Sequence, residues 1–270
     1  MKNSILKVEL KRAFLNPRWV LIVIVSFILF IISRTRFPAI ALTNEFAPNS
    51  VNQLMLIMYY SELGFLAPLL ASIPYADSLL SDFQTRSIDF MVFRTKRGNY
   101  FRAKLFAIAL TGGICMILIM TVMFVFGVGS HHGIDFTAKT FITGRQGAIA
   151  PLGSFSDLFL VKPGLYLVYM YFSAFAFGVT YALFGTAMSV FLKNKFIGLA
   201  FPLFFVQTVA FIGSRIWPIP WYLNPLQGLM PFDYSYSASN NLFYQISQYL
   251  MILIPSLVVI ILVCKSYGKK

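Results

Sequence analysis

Charged side chains are scarce in this sequence, and their scarcity excludes most soluble architectures. Only 11% of the 270 residues are Asp, Glu, Lys or Arg, whereas soluble domains carry about 25%. Apolar residues make up 58% and aromatic residues 17%, and they are grouped in runs that approach or reach the length needed to cross a bilayer. The composition predicts an all-α, polytopic membrane protein, folded as a single transmembrane domain over residues 1–270.

Residues suited to redox, metal or nucleotide chemistry are also few. Cys115 and Cys264 give neither a disulfide framework nor the spacing of metal ligands. The only histidines, His131 and His132, are adjacent, so their side chains point apart on most backbones. There is no nucleotide-binding loop of the form G-x-x-x-x-G-K-S/T or G-x-G-x-x-G, and no serine–histidine or paired acidic motif lies at membrane depth. We therefore expect no catalytic, cofactor-binding or metal-binding residues, and we expect another chain to bind any ATP.

The basic residues report on topology. They number 22 against nine carboxylates and give a net charge of +13, but they lie at the ends of apolar runs and form no stripe for nucleic acid. Six spans are predicted, at residues 19–33, 54–76, 103–128, 163–192, 196–214 and 246–264. With the amino terminus inside, 16 of the 22 basic residues fall in cytoplasmic segments, at 1–18, 77–104, 193–195 and 265–270. This asymmetry predicts a multi-pass protein of the cell membrane with both termini in the cytoplasm.

Two segments outside the spans have patterns of their own. Residues 1–17 predict an interfacial amphipathic helix on the cytoplasmic leaflet, and a plain basic tail is the alternative. Its apolar face is flanked by Lys7 and Lys11 and consists of Leu6, Leu10, Ala13 and Phe14. The external segment 215–245 has four prolines and two tryptophans. It is too apolar for a free loop and too broken for a span, so we predict that it re-enters the outer interface.

A few polar residues in or beside the spans are candidates for lining a path. Glu62 is the one carboxylate inside a predicted span, and it is either functional or a structural partner of Arg34, Arg36 or Arg215. We favour the structural pair. Gln207, near the middle of the fifth span, either bonds to another helix or lines a path. The fourth span carries small residues that allow close packing within or between subunits, namely Ala174, Gly178, Ala182 and Thr186.

The cytoplasmic loop at residues 77–102 has large apolar side chains between its charges, which a solvated connector does not need. Exposed apolar surface rimmed by charge usually marks a docking site. We therefore predict that the loop attaches a cytoplasmic partner through an apolar plug with Phe83 as its anchor. Asp82 and Arg86 would stiffen a short helix as an i, i+4 pair. A loop lying on the lipid surface is the alternative.

Together these features resemble the transmembrane permease subunit of a bacterial ABC transporter of type 2, the exporter class. The likeness covers the whole chain and is strongest in PYADSLLSDFQTRSIDFMVFRTKRGNYFRAKL, at residues 74–105. The resemblance implies that residues 77–93 contain a coupling helix, which inserts into the ATPase subunit, and that residues 217–229 form re-entrant helices. The coupling residues would be Asp77, Leu79, Leu80, Asp82, Phe83, Arg86 and Ile88.

The resemblance also implies a function and partners. The chain would be the membrane subunit of an ATP-driven exporter, with ATP and Mg held by a separate ATPase and with a second permease subunit, identical or paralogous. The expected substrate is amphipathic, such as an antimicrobial or toxic peptide or a drug. The composition, rich in lysine and phenylalanine, favours a Gram-positive bacterium. The alternative from another class is a non-transporting regulatory or scaffold subunit that senses peptide or lipid.

Overall fold

The structure is a computed structural model that describes residues 2–36, 50–88, 90, 96–129, 134–136, 155–215, 229–230 and 241–266. Every regular element with described bounds is a helix. In chain order these are α1 (Lys2–Phe14), α2 (Arg18–Arg36), α3 (Ser50–Tyr60), α4 (Leu63–Ser72), α5 (Ser78–Gln84), α6 (Arg97–Gly129), α7 (Ser156–Val161), α8 (Pro163–Leu192), α9 (Lys195–Arg215) and α10 (Asn241–Ser266). The all-helical class predicted from the composition is confirmed for this part of the chain.

Five of these helices are long and apolar enough to cross a membrane: α2, α6, α8, α9 and α10. A sixth span is obtained if the bent pair α3 and α4 is counted as one. The helices cover the predicted spans at 19–33, 103–128, 163–192, 196–214 and 246–264. These helices fit a multi-pass membrane protein, while the six-span topology and the side that each end faces stay predictions.

The segment predicted as the second span is not one helix. Helices α3 and α4 meet at an angle of 84°, and Glu62 at the break has a left-handed backbone with φ of 59°. This conformation is uncommon for a residue with a side chain. The hydroxyl of Ser61 helps to satisfy the broken backbone, since it donates to the carbonyl of Met58 and accepts from the N–H of Leu63. An apolar run of this length gives no sign of such a turn.

Helix α8 lies at the centre of the bundle and packs against α4, α6, α9 and α10. Its crossing with α6 is close because glycines face each other. A Cβ atom added at Gly178 would lie 2.2 Å from the carbonyl oxygen of Gly112, and one added at Gly112 would lie 2.5 Å from that of Gly178. The small residues of the fourth span therefore pack within the chain.

One end of the bundle collects segments that are far apart in sequence. Side chains from α1, α5 and the adjoining ends of α6, α8 and α10 form a single apolar cluster that includes Ala13, Leu79, Phe83, Tyr100, Val190 and Ile260. We call this the loop end of the bundle. It brings together the amino-terminal helix, the loop after the second predicted span, the end of α8 and the end of α10. These are the four regions that the charge count predicts to be cytoplasmic.

Candidate functional site

The loop end contains a group of charged and phenolic side chains that lie inside the protein. We call it the ionic cluster. Its members are Glu9 and Arg12 of α1, Tyr75 of the turn after α4, Asp82 of α5, and Tyr100 and Lys104 of α6. All except Arg12 are buried, and the side chain of Arg12 is 44% exposed at the edge. Two carboxylates balance two cations, so the cluster carries no net charge when all four groups are ionised.

Lys104 lies at the centre of the ionic cluster, with 0% of its surface exposed. Its ammonium lies 3.0 Å from Glu9 Oε2 and 2.5 Å from Asp82 Oδ2. It also donates to the hydroxyl of Tyr75 at 3.2 Å, and that hydroxyl donates to Glu9 Oε2 at 2.7 Å. A buried ammonium has three protons to place, and here each one has an acceptor. Lys104 thus joins α6 to both α1 and α5.

Asp82 receives hydrogen bonds on both carboxylate oxygens. Arg12 and the hydroxyl of Ser87 each lie 3.2 Å from Oδ1, while Tyr100 donates to Oδ2 beside Lys104. Burial raises the pKa of Asp82, but the charges and hydrogen bonds of Lys104, Tyr100 and Arg12 outweigh it and hold the pKa below its ordinary value. Asp82 is therefore ionised at neutral pH.

A second ion pair fixes the start of α2 to the same region. The guanidinium of Arg18 makes two hydrogen bonds to the carboxylate of Asp77, at 2.6 and 2.8 Å, and one to the carbonyl of Ile73 at 3.0 Å. Just before it, the side-chain amide of Asn16 donates to the carbonyl of Pro74 at 3.0 Å. The turn between α4 and α5 is thus held by the link between α1 and α2. Bidentate pairs of this kind fix the orientation of the two groups as well as their distance.

These ion pairs and hydrogen bonds hold together segments that are far apart in sequence. We call this link between segments the clasp. Removing one member of a buried pair strands the other charge and costs roughly 3–5 kcal/mol. A cluster in which every member is satisfied holds its elements in one arrangement. Helix α5 is therefore joined to α1 and α6 through Asp82, and Asp77 just before it is joined to α2.

The apolar side chains of the predicted plug point into the protein and not toward a partner. Four of the predicted coupling residues, Leu79, Leu80, Phe83 and Ile88, are buried in the apolar cluster of the loop end. Phe83 is only 8% exposed, and its ring lies 6.4 Å from that of Phe101 in α6. The prediction that these side chains are exposed for a partner is wrong. An apolar pattern shows that a face is covered, but not whether the cover is the same chain or another one.

The predicted pair between Asp82 and Arg86 is also wrong. Asp82 is bound to Arg12, Lys104 and the two hydroxyl groups. Arg86 lies beyond the end of α5, with a left-handed backbone at φ of 54° and an exposed side chain. The side chains that do face outward here are Gln84, Thr85, Arg86 and Phe90, the last 75% exposed. We call these four residues the outer face of the loop.

Helix α1 is present over Lys2–Phe14, but of the predicted apolar face only Phe14 is exposed. Ala13 is buried, and Leu10 packs against the apolar cluster of the loop end. Val8 and Leu15 are exposed, together with Lys7 and Lys11. Contact of this helix with the leaflet stays a prediction. If the helix meets lipid, it does so through this face.

The polar residues that the sequence singled out in the spans lie at separate places. Glu62, at the break between α3 and α4, forms an ion pair with Arg36 at the end of α2, and about half of each side chain is exposed. Gln207 is partly exposed within α9, and Arg215 is exposed at the end of that helix. The structure thus supplies the arginine partner that the structural interpretation of Glu62 requires. The predicted re-entrant helices fall at residues 217–228, outside the described residues, and on Leu229, which is buried.

Sequence reasoning missed the inner members of the ionic cluster, Glu9, Tyr75 and Tyr100, and treated Lys104 only as a topology signal. Two signals were available. Glu9 is the one carboxylate before residue 45, and Lys104 stands inside the pattern of the following apolar run, in RAKLFAIAL. A charge within an apolar stretch usually has a partner. The sequence does not show the path of the chain that brings residues 9, 75, 82 and 104 together.

Comparison of the chain with protein-family models, with curated proteins and with solved structures found no match. Function is therefore argued from the geometry of the loop end and from the sequence.

Proposed function

We propose that this chain is the membrane-spanning subunit of an ATP-driven ABC exporter. It would move an amphipathic substrate, such as a toxic or antimicrobial peptide or a drug, across the cell membrane. A separate subunit would hydrolyse ATP, and a second permease subunit, identical or paralogous, would complete the path. One observation carries the proposal. Ion pairs of the ionic cluster and the pair of Arg18 with Asp77 hold helix α5 against neighbouring helices, while its far end stays exposed.

A permease of this kind needs a rigid element between the ATPase and the membrane spans. Two packed arrangements can be interconverted only if the motion at the docking point reaches the helices without being absorbed on the way. Asp82 links α5 to Lys104 of α6, and Asp77 next to α5 links it to Arg18 of α2. Helices α2 and α6 are both long enough to cross the bilayer. A displacement of α5 would therefore move two candidate spans directly.

The docking surface in this proposal is the outer face of the loop. Phe83 cannot serve as the anchor, because it fills the core of the loop end. Phe90 is a large aromatic side chain that is 75% exposed, and it lies four residues after Arg86. Phenylalanine and arginine are among the residues enriched at the cores of protein interfaces. We therefore assign the anchoring role to Phe90, with Arg86 beside it.

Three phenylalanine variants test this assignment. Phe90→Ala should weaken association with the ATP-hydrolysing subunit by about 30-fold, the cost of losing an anchor worth roughly 2 kcal/mol, without lowering the stability of the chain. Phe83→Ala should do the reverse and lower stability by about 3 kcal/mol, because it opens a cavity in the core. Phe196→Ala is the matched control, since Phe196 is 74% exposed in the first turn of α9. It should change neither property.

Co-purification of the tagged chain from its native membrane gives the primary readout. The proposal predicts that a protein with a nucleotide-binding loop is retained, and that vesicles containing both proteins move an amphipathic peptide or drug only when ATP is present. If no such protein is retained and nothing is transported, the non-transporting regulatory or scaffold function replaces the exporter.

A further inference from the structure

The hairpin formed by α8 and α9 ends in an exposed tip. Residues 191–197, which we call the hairpin tip, are all exposed. Phe191 is 63% exposed and Phe196 is 74% exposed, and Lys193 and Lys195 lie between them in the sequence. Exposed apolar surface beside charged groups usually marks a place where another protein or a membrane surface binds.

The positive charge of the hairpin tip is not balanced by its own helices. The sequence has no Asp or Glu at positions 158–232. Among the described residues, neither Lys193 nor Lys195 forms an ion pair. The ammonium of Lys195 lies 5.6 Å from the centre of the Phe196 ring, so the cation and the apolar ring are side by side on the surface. The tip therefore offers two cations to an anionic group.

The turn at the tip has a defined shape. Only Lys193 and Asn194 separate α8 from α9, and Lys193 has a left-handed backbone with φ of 53°. The side-chain oxygen of Asn194 accepts hydrogen bonds from the N–H groups of Phe196 at 3.0 Å and Ile197 at 3.3 Å. These first N–H groups of α9 are therefore already bonded. An anion at the tip would be held by the lysine ammonium groups and not by the start of the helix.

The short link also sets the depth of the tip in a bilayer. Helices α8 and α9 are each long and apolar enough to cross a membrane. They are in close contact beside the turn, since a Cβ atom added at Gly198 would lie 2.2 Å from the Cα of Ser189. A link of two residues extends only a few ångströms beyond the helix ends, whereas the headgroup layer is roughly 5–8 Å thick on each side. In a bilayer spanned by both helices, Lys193 and Lys195 therefore lie at the depth of the headgroups.

We propose that the hairpin tip is a binding site for anionic phospholipid. The ammonium groups of Lys193 and Lys195 bind the phosphate of a net negative headgroup such as phosphatidylglycerol, and the rings of Phe191 and Phe196 lie beside its first acyl carbons. Val190, just before the tip, belongs to the apolar cluster of the loop end, so the tip lies on the side that the charge count predicts to be cytoplasmic. That surface of a bilayer is anionic, and its complementary charge identifies lipid as the occupant. The proposal does not depend on the ATP-driven activity.

Photocrosslinking from position 191 measures this preference. Benzoylphenylalanine replaces Phe191 in the purified full-length chain, which is reconstituted into vesicles of equimolar phosphatidylglycerol and phosphatidylcholine. Mass spectrometry then compares the two lipid adducts. Two lysines at the anionic surface should enrich phosphatidylglycerol at least about fivefold over phosphatidylcholine. The enrichment should shrink at about 0.5 M salt, where the screening length falls to a few ångströms.

Position 204 is the matched control for the probe. Phe204 is 65% exposed, much like Phe191, but it lies further along α9, roughly 13 Å from Lys195 at 1.5 Å per residue. Benzoylphenylalanine at this position should react with the two lipids equally, because no lysine lies beside it in the sequence.

Three pairs of substitutions assign the enrichment to the tip. Lys193→Gln with Lys195→Gln should abolish the enrichment at position 191, whereas Lys193→Arg with Lys195→Arg keeps the charge and should retain it. Lys7→Gln with Lys11→Gln removes two exposed cations of α1 instead and should leave the enrichment unchanged. Lipid adducts from position 204 in each variant show that the chain is still inserted.

Equal amounts of the two adducts at position 191, with all lysines present, would overturn the inference. An enrichment that survives Lys193→Gln with Lys195→Gln would do the same. If Lys7→Gln with Lys11→Gln removes the enrichment equally well, the attraction belongs to the net charge of the chain and the tip is not a site. Irradiation in the native membrane tests for a protein occupant, since an adduct of position 191 with another protein in place of lipid would also contradict the proposal.

Discussion

Replacing Lys104 by methionine is the sharpest perturbation of the loop end. Methionine keeps most of the length of the side chain but removes the ammonium, which lies 3.0 Å from Glu9 and 2.5 Å from Asp82. Two buried carboxylates would then share one cation, Arg12, which lies 3.2 Å from each of them. Breaking a buried ion pair costs roughly 3–5 kcal/mol. Because Arg12 remains, we expect a value near the lower limit, about 3 kcal/mol.

Denaturant unfolding in detergent measures this cost, and a matched variant controls for the loss of a lysine. Lys11 lies on α1 and is exposed, so Lys11→Met should change the free energy of unfolding by no more than about 0.5 kcal/mol. Trypsin provides a second readout, since release of α1 in the Lys104 variant would speed cleavage after Lys7 and Lys11.

The double variant identifies the cause. Glu9→Gln removes one of the two stranded carboxylates, so Glu9→Gln combined with Lys104→Met should cost less than the sum of the single changes. Strict additivity, or a Lys104→Met variant as stable as Lys11→Met, would refute the ionic cluster as the clasp between α1, α5 and α6.

Three further predictions follow from individual contacts. Because the pKa of Asp82 is lowered from its ordinary value of 3.8, its contribution to stability should be complete above about pH 5 and lost as the pH falls through the lowered pKa. The difference in unfolding midpoint between wild type and Asp82→Asn should therefore stay constant near neutral pH and disappear in acid. A decrease of this difference between about pH 8 and about pH 6 would contradict the assignment. Gly178→Val should destabilise the α6–α8 crossing by several kcal/mol, because the added Cβ would lie 2.2 Å from a backbone oxygen. Gly164→Ala is the control, since no atom lies within 4 Å of its Cβ. Thermal unfolding should show a loss of stability only for the first variant. Glu62→Gln should cost no more than about 1 kcal/mol, because its pair with Arg36 is half exposed, and a loss of transport at normal stability would instead place Glu62 on the path.

The long apolar helices were readable from the sequence because their signal is local. The predicted fourth span, at residues 163–192, has the same bounds as α8, and the small residues along it do pack closely. The break at Glu62 was not readable, because a single left-handed residue leaves no mark in an apolar pattern. A short helix after Asp77 was also expected, and α5 is that helix.

The candidate site was only half accessible to sequence reasoning. The apolar pattern led to the prediction that Leu79, Leu80, Phe83 and Ile88 are exposed for a partner, but residues of α1, α6, α8 and α10 cover them. Likewise, Asp82 was given the nearest cation in sequence, Arg86, when its partners are 70 and 22 positions away, at Arg12 and Lys104. Partners so distant depend on the packing of the whole bundle, which one sequence does not specify by local pattern.

The central claim is that the loop end faces the cytoplasm and docks an ATP-hydrolysing subunit through Arg86 and Phe90. Labelling of a Gln84→Cys variant tests this most directly, because Gln84 is exposed on the outer face of the loop and both proposed anchors are kept. Cys115→Ala and Cys264→Ser are added so that position 84 carries the only thiol. A membrane-impermeant maleimide should label it in inside-out vesicles and not in right-side-out vesicles. Addition of the purified subunit should then protect it from the reagent. Labelling from the outer side, or equal labelling with and without the subunit, would contradict the account.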